Sequence, residues 1–292
     1  MSDLIIETKN LTKSYGSFKA LDGLDLNVPE GVVYGLLGKN GAGKTTTLRI
    51  FMSLLKPTGG IVKVLGHTPQ KMPLSLRQQI GYSSDSMQLI PWLKVGDILN
   101  YNGSFYDNWD TQYVKQWVER LNLPLDKRVF HLSRGNRQKL ALVMAIGHRP
   151  KLLILDEPAG GLDPAARKEF LESMIELIHE SGTSIILSSH LLTDLERISD
   201  CIGIIDDGKM KVEMNLENLK MTTRQIKIIT QNNIKDANLD GVISLETSGN
   251  MLKVIFNDWK ENKYHNLKQR FPEATIEVES LNLEEIFLAY TR

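Results

Sequence analysis

The chain has 292 residues, of which 41% are hydrophobic, 24% charged and 7% aromatic, which excludes collagen-like, mucin-like and broadly disordered proteins. Its 35 basic and 35 acidic residues cancel, and this disfavours nucleic acid as the main partner, since chains that bind polyanions are normally basic. The single cysteine, Cys201, predicts a reducing compartment. With neither a spanning apolar stretch nor a signal-peptide pattern, action at a membrane requires a separate spanning subunit.

The first part of the chain predicts strands around a turn and a loop, followed by a mostly helical region at 85–150. Val114 and Trp117 belong to a set of apolar residues at helical spacing, with Asp110 as the N-cap. Residues 151–219 return to alternating apolar strands and helices, which is typical of a parallel sheet buried on both faces. Strands are expected at 4–9, 20–28, 32–37, 152–155 and 184–187.

Residues 220–292 change character and predict a small α+β accessory domain. Asp258 marks a capped helix start, and Pro272 ends that helix. Asn282 and Glu285 have the spacing of a capping box at the start of a final helix. Strands are expected at 225–230, 242–247, 251–257 and 274–281.

Residues 38–45 match the phosphate-binding pattern G-x-x-x-x-G-K-[ST], between an apolar strand and a helix. The glycines let successive backbone N–H groups curl around an anion, and the helix N-terminus adds a favourable dipole. We expect Lys44 to reach the outer phosphates of ATP and the Thr45 hydroxyl to ligate Mg²⁺. The nucleotide-binding residues predicted here are Gly38, Lys39, Asn40, Gly41, Ala42, Gly43, Lys44, Thr45 and Thr46.

Two acidic residues, Asp156 and Glu157, directly follow the buried strand at 152–155. In a parallel sheet such a position lies at the carboxyl edge, where ligands bind. We expect Asp156 to hold Mg²⁺, directly or through water. Glu157 is the expected general base, which would orient or deprotonate the attacking water.

Over residues 1–219 the chain resembles the ATP-binding cassette family, the ATPase subunits of ABC transporters. Residues 132–136 read LSRGN and open an apolar helix, at the place where that family carries LSGGQ. The resemblance implies that Ser133 and the Gly135 amide contact the ATP held by the phosphate loop of a partner chain. Two cassettes would then close head to tail around two ATP molecules.

Further positions match other motifs of the family. Residues 160–163 resemble its D-loop, which implies that Asp163 contributes to the nucleotide site. His190 resembles the switch histidine near the γ-phosphate, and Tyr15 resembles the aromatic residue that stacks on adenine. The resemblance implies an α/β P-loop NTPase core with an N-terminal antiparallel β region, a helical insert subdomain and the accessory domain.

Two motifs depart from the family pattern. Arg134 and Asn136 replace the usual third and fifth signature residues, but Ser133 is kept, so we expect activity to survive. Asp85 stands where the family has the glutamine of its Q-loop. Its carboxylate is expected to contact Mg²⁺ through water, unless the register is shifted and Gln88 takes that place.

The segment 87–93, which follows the Q-loop, matches the region that receives a helix of the membrane subunit in the family. Trp92 suits that role if it is exposed. The alternative is that Trp92 and Leu93 are ordinary core residues of the helical region. The residues alone leave both readings open.

The predicted function is an ATP-hydrolysing subunit that powers transport, with ATP and Mg²⁺ as cofactors, at the cytoplasmic face of the membrane. Its partners would be an integral-membrane subunit and a second ATPase chain, either a copy or a paralogue. Residues 280–287 resemble the tail of ABC-2-type exporter ATPases of Gram-positive bacteria, which implies export. The alternatives are a soluble ABC ATPase acting on ribosomes or nucleic acid, an importer subunit with a regulatory C-terminal domain, and a cassette that binds ATP without hydrolysing it.

Overall fold

The computed structural model describes residues 3–230 and 239–291. The strands are β1 (Leu4–Tyr15), β2 (Phe18–Pro29), β3 (Val33–Leu37), β4 (Gly59–Val64), β5 (Ile80–Ser84), β6 (Leu152–Asp156), β7 (Ser184–Ser188), β8 (Cys201–Asp206), β9 (Lys209–Asn215), β10 (Arg224–Ile229), β11 (Val242–Ser248), β12 (Met251–Phe256) and β13 (Thr275–Ser280). The helices are α1 (Lys44–Phe51), α2 (Leu74–Arg77), α3 (Val95–Gly103), α4 (Thr111–Arg120), α5 (Arg134–Ile146), α6 (Pro164–Ser181), α7 (Leu192–Ile198), α8 (Leu216–Thr222), α9 (Glu261–Arg270) and α10 (Leu283–Tyr290).

The central sheet has the strand order β5-β6-β7-β3-β8-β9. Its strands are parallel except for β9, which pairs antiparallel with β8. All residues of β3, β6 and β7 are buried, because helices cover both faces of such a sheet. The predicted parallel sheet is therefore confirmed, and β3, β5, β6 and β7 bring their carboxyl ends to one edge.

The predicted N-terminal antiparallel region is a sheet with the order β2-β1-β4. β1 continues six residues beyond the apolar stretch predicted at 4–9, whereas β2 exceeds the stretch predicted at 20–28 by only two residues at its start and one at its end. Their ladder runs from Leu4 opposite Pro29 to Tyr15 opposite Phe18, with several register shifts. Pairing across the hairpin thus extends the strands into polar sequence that carries no strand signal of its own.

The helical region packs α3, α4 and α5 on one side of the central sheet. The Asp110 side chain accepts a hydrogen bond from the Tyr113 backbone N–H at the start of α4, so the predicted N-cap is confirmed. Trp117 is buried in the core, as the helical spacing predicts. Residues 138–146 of α5 are buried throughout, which makes this helix the centre of the region.

The C-terminal sheet has the order β11-β12-β10-β13 among the described residues. Asn282 and Glu285 form the predicted capping box at α10. The predicted cap at Asp258 is wrong, because α9 starts after Lys260 without a side-chain cap. The Asp258 carboxylate instead forms an ion pair with Lys263 at 2.5 Å.

The accessory sheet contributes its own apolar cluster, which includes Ile226, Val254 and Phe256. Helix α10, however, packs on α7, and its Leu283 and Ile286 belong to the main core of the cassette. The boundary proposed between residues 219 and 220 falls inside α8. A division into two domains at this point stays a prediction.

Candidate functional site

The phosphate loop connects β3 to α1. Gly43, the N-cap of α1, has a φ of 111°, a conformation that favours glycine. A Cβ at Gly43 would lie 2.6 Å from Leu21 Cδ2, so the close approach of the loop to β2 also needs glycine. The first N–H groups of α1 have no partner within the helix, and with the helix dipole they form a site for an anion.

The Lys44 side chain is buried at the base of the loop. Its Nζ donates to the Gly38 carbonyl at 2.6 Å and lies 3.9 Å from Glu157 Oε1. Burial lowers the pKa of the Lys44 ammonium, and the carboxylates of Glu157 and Asp156 oppose this shift. The ammonium is therefore fixed between the loop and the acidic end of β6.

Asp156 joins the phosphate loop to β7. Its Oδ1 accepts from Thr45 Oγ1 at 3.1 Å and from Ser188 Oγ at 2.7 Å. The Thr45 hydroxyl and the Asp156 carboxylate thus present oxygen donors side by side, the ligand type that Mg²⁺ prefers. No group of three or more His, Cys, Asp or Glu residues arranged to hold a metal occurs in 3–230 and 239–291, and Mg²⁺ needs only one or two carboxylates beside water and phosphate.

Glu157 and His190 lie in direct contact. Glu157 Oε2 is 2.6 Å from His190 Nδ1 and accepts from the His190 backbone N–H at 3.3 Å. The Glu157 backbone N–H donates to Ser188 Oγ at 3.1 Å. The structure therefore joins Glu157 and His190, two of the three predicted catalytic residues, and places Glu157 3.9 Å from the third, Lys44.

Lys44, Thr45 and Glu157 line a cleft of about 290 Å³, close to the lower limit for small-molecule sites. Tyr15 lies at its edge with half of its side chain exposed. Phe18, which the sequence analysis does not single out, is a second exposed aromatic ring there. The lining residues are Tyr15, Phe18, Ala20, Lys39, Asn40, Gly41, Gly43, Lys44, Thr45, Thr46 and Glu157.

Gly38 and Ala42 belong to the phosphate loop but do not line the cleft, and three further predicted nucleotide-binding residues lie outside the loop and do not line it either. Ser133 is the N-cap of α5, and its hydroxyl accepts from the Asn136 backbone N–H at 3.2 Å. Asp163 is the N-cap of α6 and accepts two backbone N–H bonds at 3.0 Å. Gly135 lies in the first turn of α5. Their contact with nucleotide stays a prediction that requires a second chain.

The comparison with known proteins decides the family. The profile described as ABC transporter matches residues 21–160. The bacitracin transport ATP-binding protein BcrA of Enterococcus faecalis is 35% identical over 258 residues, which are 88% of this chain and 82% of that protein. The chain belongs to the ABC transporter family. This ABC transporter protein is an ATP-binding subunit and an ATPase, as the resemblance implies.

Two further similarities extend the comparison to the C-terminal region and to a solved structure. The uncharacterized ABC transporter ATP-binding protein YhaQ of Bacillus subtilis (strain 168) is 33% identical over 289 residues, 96% of each chain, so the similarity includes the C-terminal region. The solved dimeric structure of MJ0796, a bacterial ABC transporter cassette, aligns with a TM-score of 0.65 at 25% identity, over 72% of this chain and 98% of that one. The predicted cassette fold is confirmed.

The structure of this ABC transporter subunit decides the alternatives for Trp92 and Leu93. Trp92 is 71% exposed, so its assignment to the core is wrong. Leu93 is half-buried and packs against the main core. In the part of the chain that the structure describes, every helix is too short or too polar to cross a bilayer.

Some contacts of the site have no counterpart in the sequence analysis. Lys39 Nζ donates to the backbone carbonyl of Thr291, next to α10. Asp85, the predicted magnesium contact, accepts hydrogen bonds on both carboxylate oxygens from Arg134. Neither contact can be predicted from one sequence motif, because each joins two segments that are far apart in the chain.

Proposed function

We propose that this chain hydrolyses ATP to drive export through an integral-membrane subunit. The observation that carries the proposal is that Lys44, Thr45 and Glu157 line one cleft beside the phosphate loop, with Asp156 hydrogen-bonded to Thr45 and His190 in contact with Glu157. Each residue lies at the carboxyl edge of the central sheet, where α/β proteins bind ligands.

In the proposed nucleotide site, different groups bind the phosphates and the metal ion. The backbone N–H groups of the loop and Lys44 would hold the phosphates of ATP. Thr45 and Asp156 would hold Mg²⁺, since their oxygens already lie 3.1 Å apart. When bound, the ion would neutralise charge on the phosphates.

Glu157 would orient the attacking water and accept its proton. His190 would position that carboxylate through the 2.6 Å contact at Nδ1 and place its ring near the γ-phosphate. Lys44 lies on the other side of Glu157, with 3.9 Å between Nζ and Oε1. This arrangement relies on positioning and charge stabilisation, the main sources of catalysis in phosphoryl transfer.

The active unit would be a pair of cassettes, either two copies or two paralogues. Ser133 is exposed and lies outside the cleft of its own chain, which suits a role across an interface. Together with the Gly135 amide it would contact the ATP bound by the second chain, and Asp163 would lie at the same junction. Differential affinity of the closed pair for ATP would drive the conformational change in the membrane subunit.

The membrane subunit would dock on an aromatic patch formed by Trp92 and Phe130. These side chains are 71% and 69% exposed, and the Phe130 backbone N–H donates to the Pro91 carbonyl at 2.9 Å, which keeps the two segments together. Large exposed aromatic groups mark interaction sites. The chain would thus be peripheral, at the cytoplasmic face of the membrane, with no nucleic-acid partner.

Amphipathic peptides are the proposed cargo class. The support is that one relative is a bacitracin transport ATP-binding protein and that residues 280–287 resemble the tail of exporter ATPases. Cargo selection would belong to the membrane subunit rather than to this chain.

Glu157→Gln tests the assignment. The variant is expected to keep ATP binding but to lose about 100-fold or more in turnover, the usual contribution of a general base. Because bound ATP would then persist, a stable dimer should form. Phosphate release and size-exclusion chromatography with ATP and Mg²⁺ measure the two effects.

Glu172→Gln is the matched control, since Glu172 is an exposed residue of α6 whose i,i+4 ion pair with Lys168 spans 3.9 Å. It should retain wild-type turnover and show no trapped dimer. Near wild-type turnover in Glu157→Gln would remove Glu157 from the role of base, whereas absence of turnover in the wild type would refute the proposed function.

A further inference from the structure

The two departures from the family motifs meet in space. Arg134, the third residue of the signature segment, places Nη2 2.8 Å from Asp85 Oδ1 and 2.7 Å from Oδ2. Asp85 is the residue at the Q-loop position, 49 positions earlier in the chain. A cation and an anion have thus replaced two uncharged residues at positions that touch each other.

The surrounding contacts extend this pair to the D-loop. Gln138 Nε2 donates to Asp85 Oδ1 at 3.2 Å and to the Gly160 carbonyl at 2.8 Å, and Gln138 is buried. A Cβ on Gly161 would lie 2.0 Å from Arg134 Nη1, so the guanidinium rests directly on the backbone there. The Q-loop, the signature helix and the D-loop are therefore joined at one point.

The same cluster is bonded to the catalytic segment. The Asp85 backbone N–H donates to the Asp156 carbonyl at 3.1 Å, and the Gly160 backbone N–H donates to the Glu157 carbonyl at 3.0 Å. Arg134 is the first residue of α5, directly between Ser133 and Gly135. The orientation of Arg134 therefore sets the signature segment relative to the two catalytic acids of the same chain.

We propose that Asp85 and Arg134 act as a clasp, an ion pair that positions the signature segment against the catalytic segment. The proposal rests on the proposed function, in which Ser133 and Gly135 contact nucleotide. The Asp85 carboxylate serves as the counter-charge of Arg134 rather than as a magnesium contact. Charge-assisted hydrogen bonds are the strong ones, and both side chains are only partly exposed, 54% for Arg134 and 35% for Asp85.

A double-mutant cycle tests the clasp in the full-length chain. Asp85→Asn and Arg134→Gln should each lower kcat about fivefold to tenfold, which is the upper range for a partly exposed pair. The double variant should lose no more than the worse single variant, because both changes remove one interaction. The charge swap Asp85→Arg with Arg134→Asp should recover at least half of the lost kcat.

Arg137→Gln is the matched control, since Arg137 is exposed and lies three residues further along α5. It removes the same charge from the same helix and should keep kcat within about twofold, as surface substitutions usually do. Single-variant losses that multiply in the double variant, unchanged kcat in both single variants, or no recovery in the charge swap would each overturn the clasp.

Two further measurements distinguish the clasp from a metal-binding role of Asp85 and from a failure of the proposed function. The Mg²⁺ concentration for half-maximal activity should stay unchanged in Asp85→Asn, and a tenfold rise would overturn the clasp in favour of a metal role for Asp85. The same cycle measured by urea denaturation requires no turnover, so additive losses of stability there would overturn the ion pair. A wild-type chain without ATPase activity would refute the proposed function and the positioning role. The denaturation cycle would still test whether Asp85 and Arg134 form a stabilising ion pair.

Discussion

His148 gives the sharpest prediction for stability. Its ring is fully buried after α5 and stacks on Tyr106, with 4.0 Å between ring centroids. Nε2 lies 3.3 Å from the Ile80 carbonyl, whereas nothing in residues 3–230 and 239–291 hydrogen-bonds to its buried Nδ1. Protonation would place a charge and an unpaired N–H in the core, and burial accordingly lowers the pKa of His148 from 6.5 to about 4, against the effect of the Ile80 carbonyl.

The direction of the pH dependence of stability follows from the lowered pKa of His148 in the folded chain. Above pH 6.5 the histidine is neutral in both states and adds no pH dependence. As the pH falls below 6.5, the unfolded chain binds a proton that the folded chain does not, so unfolding becomes more favourable. With these two pKa values the loss is about 2 kcal/mol at pH 5 and about 3 kcal/mol at pH 4.

The perturbation is His148→Gln, which removes the titration and keeps a donor for the Ile80 carbonyl. The variant is expected to be less stable than the wild type at pH 7.5, since ring packing on Tyr106 is lost. Its further loss between pH 7.5 and pH 5 should, however, be smaller than that of the wild type by about 2 kcal/mol. Urea denaturation followed by tryptophan fluorescence at both pH values measures the difference.

His67→Gln is the matched control, because it makes the same substitution at an exposed histidine. It should lose as much stability on acidification as the wild type. If His148→Gln also shows the full wild-type loss, the buried ring does not control the pH dependence, and the reasoning from burial is refuted.

Two other predictions concern the site and the aromatic patch. Ser188→Ala is expected to lower the free energy of unfolding by about 2 kcal/mol, since a buried hydrogen bond to the Asp156 carboxylate is lost, and to raise the Mg²⁺ requirement of the ATPase. Urea denaturation and a magnesium titration check both, and wild-type values in the two assays would contradict it. Alanine at both Trp92 and Phe130 should abolish co-purification with the membrane subunit without changing thermal unfolding. Leu54→Ala, at a similarly exposed apolar residue, should leave co-purification intact.

The phosphate loop and the two acids at the carboxyl end of β6 are predictable from the sequence because their signals are local. The spacing from Gly38 to Thr45 encodes a strand, a turn and a helix start within a few residues. The caps at Asp110 and Asn282 are equally local, since each bonds to a backbone N–H three residues later. In such features the interacting groups are close in sequence, so the local backbone conformation brings them into contact.

The contacts that orient these groups are less predictable because their partners are distant in sequence. Ser188 lies 32 positions from Asp156, and they meet only because β6 and β7 pair in register. Lys39 and Thr291 are 252 positions apart. The opposite charges of Asp85 and Arg134 are visible in the sequence, but their contact depends on the placement of α5 over the end of β5.

The position of Glu157 shows how distant pairing shapes the catalytic chemistry. Along an extended strand, consecutive side chains point to opposite faces of the sheet, so Asp156 and Glu157 would not serve one site. Glu157 instead has a φ of 53°, which is unfavourable for a residue with a Cβ. Its N–H is held by Ser188 of β7, and its carbonyl accepts from Gly160. These bonds offset the strain and turn both carboxylates toward the phosphate loop, so the placement of the proposed base depends on the neighbouring strand as much as on its own motif.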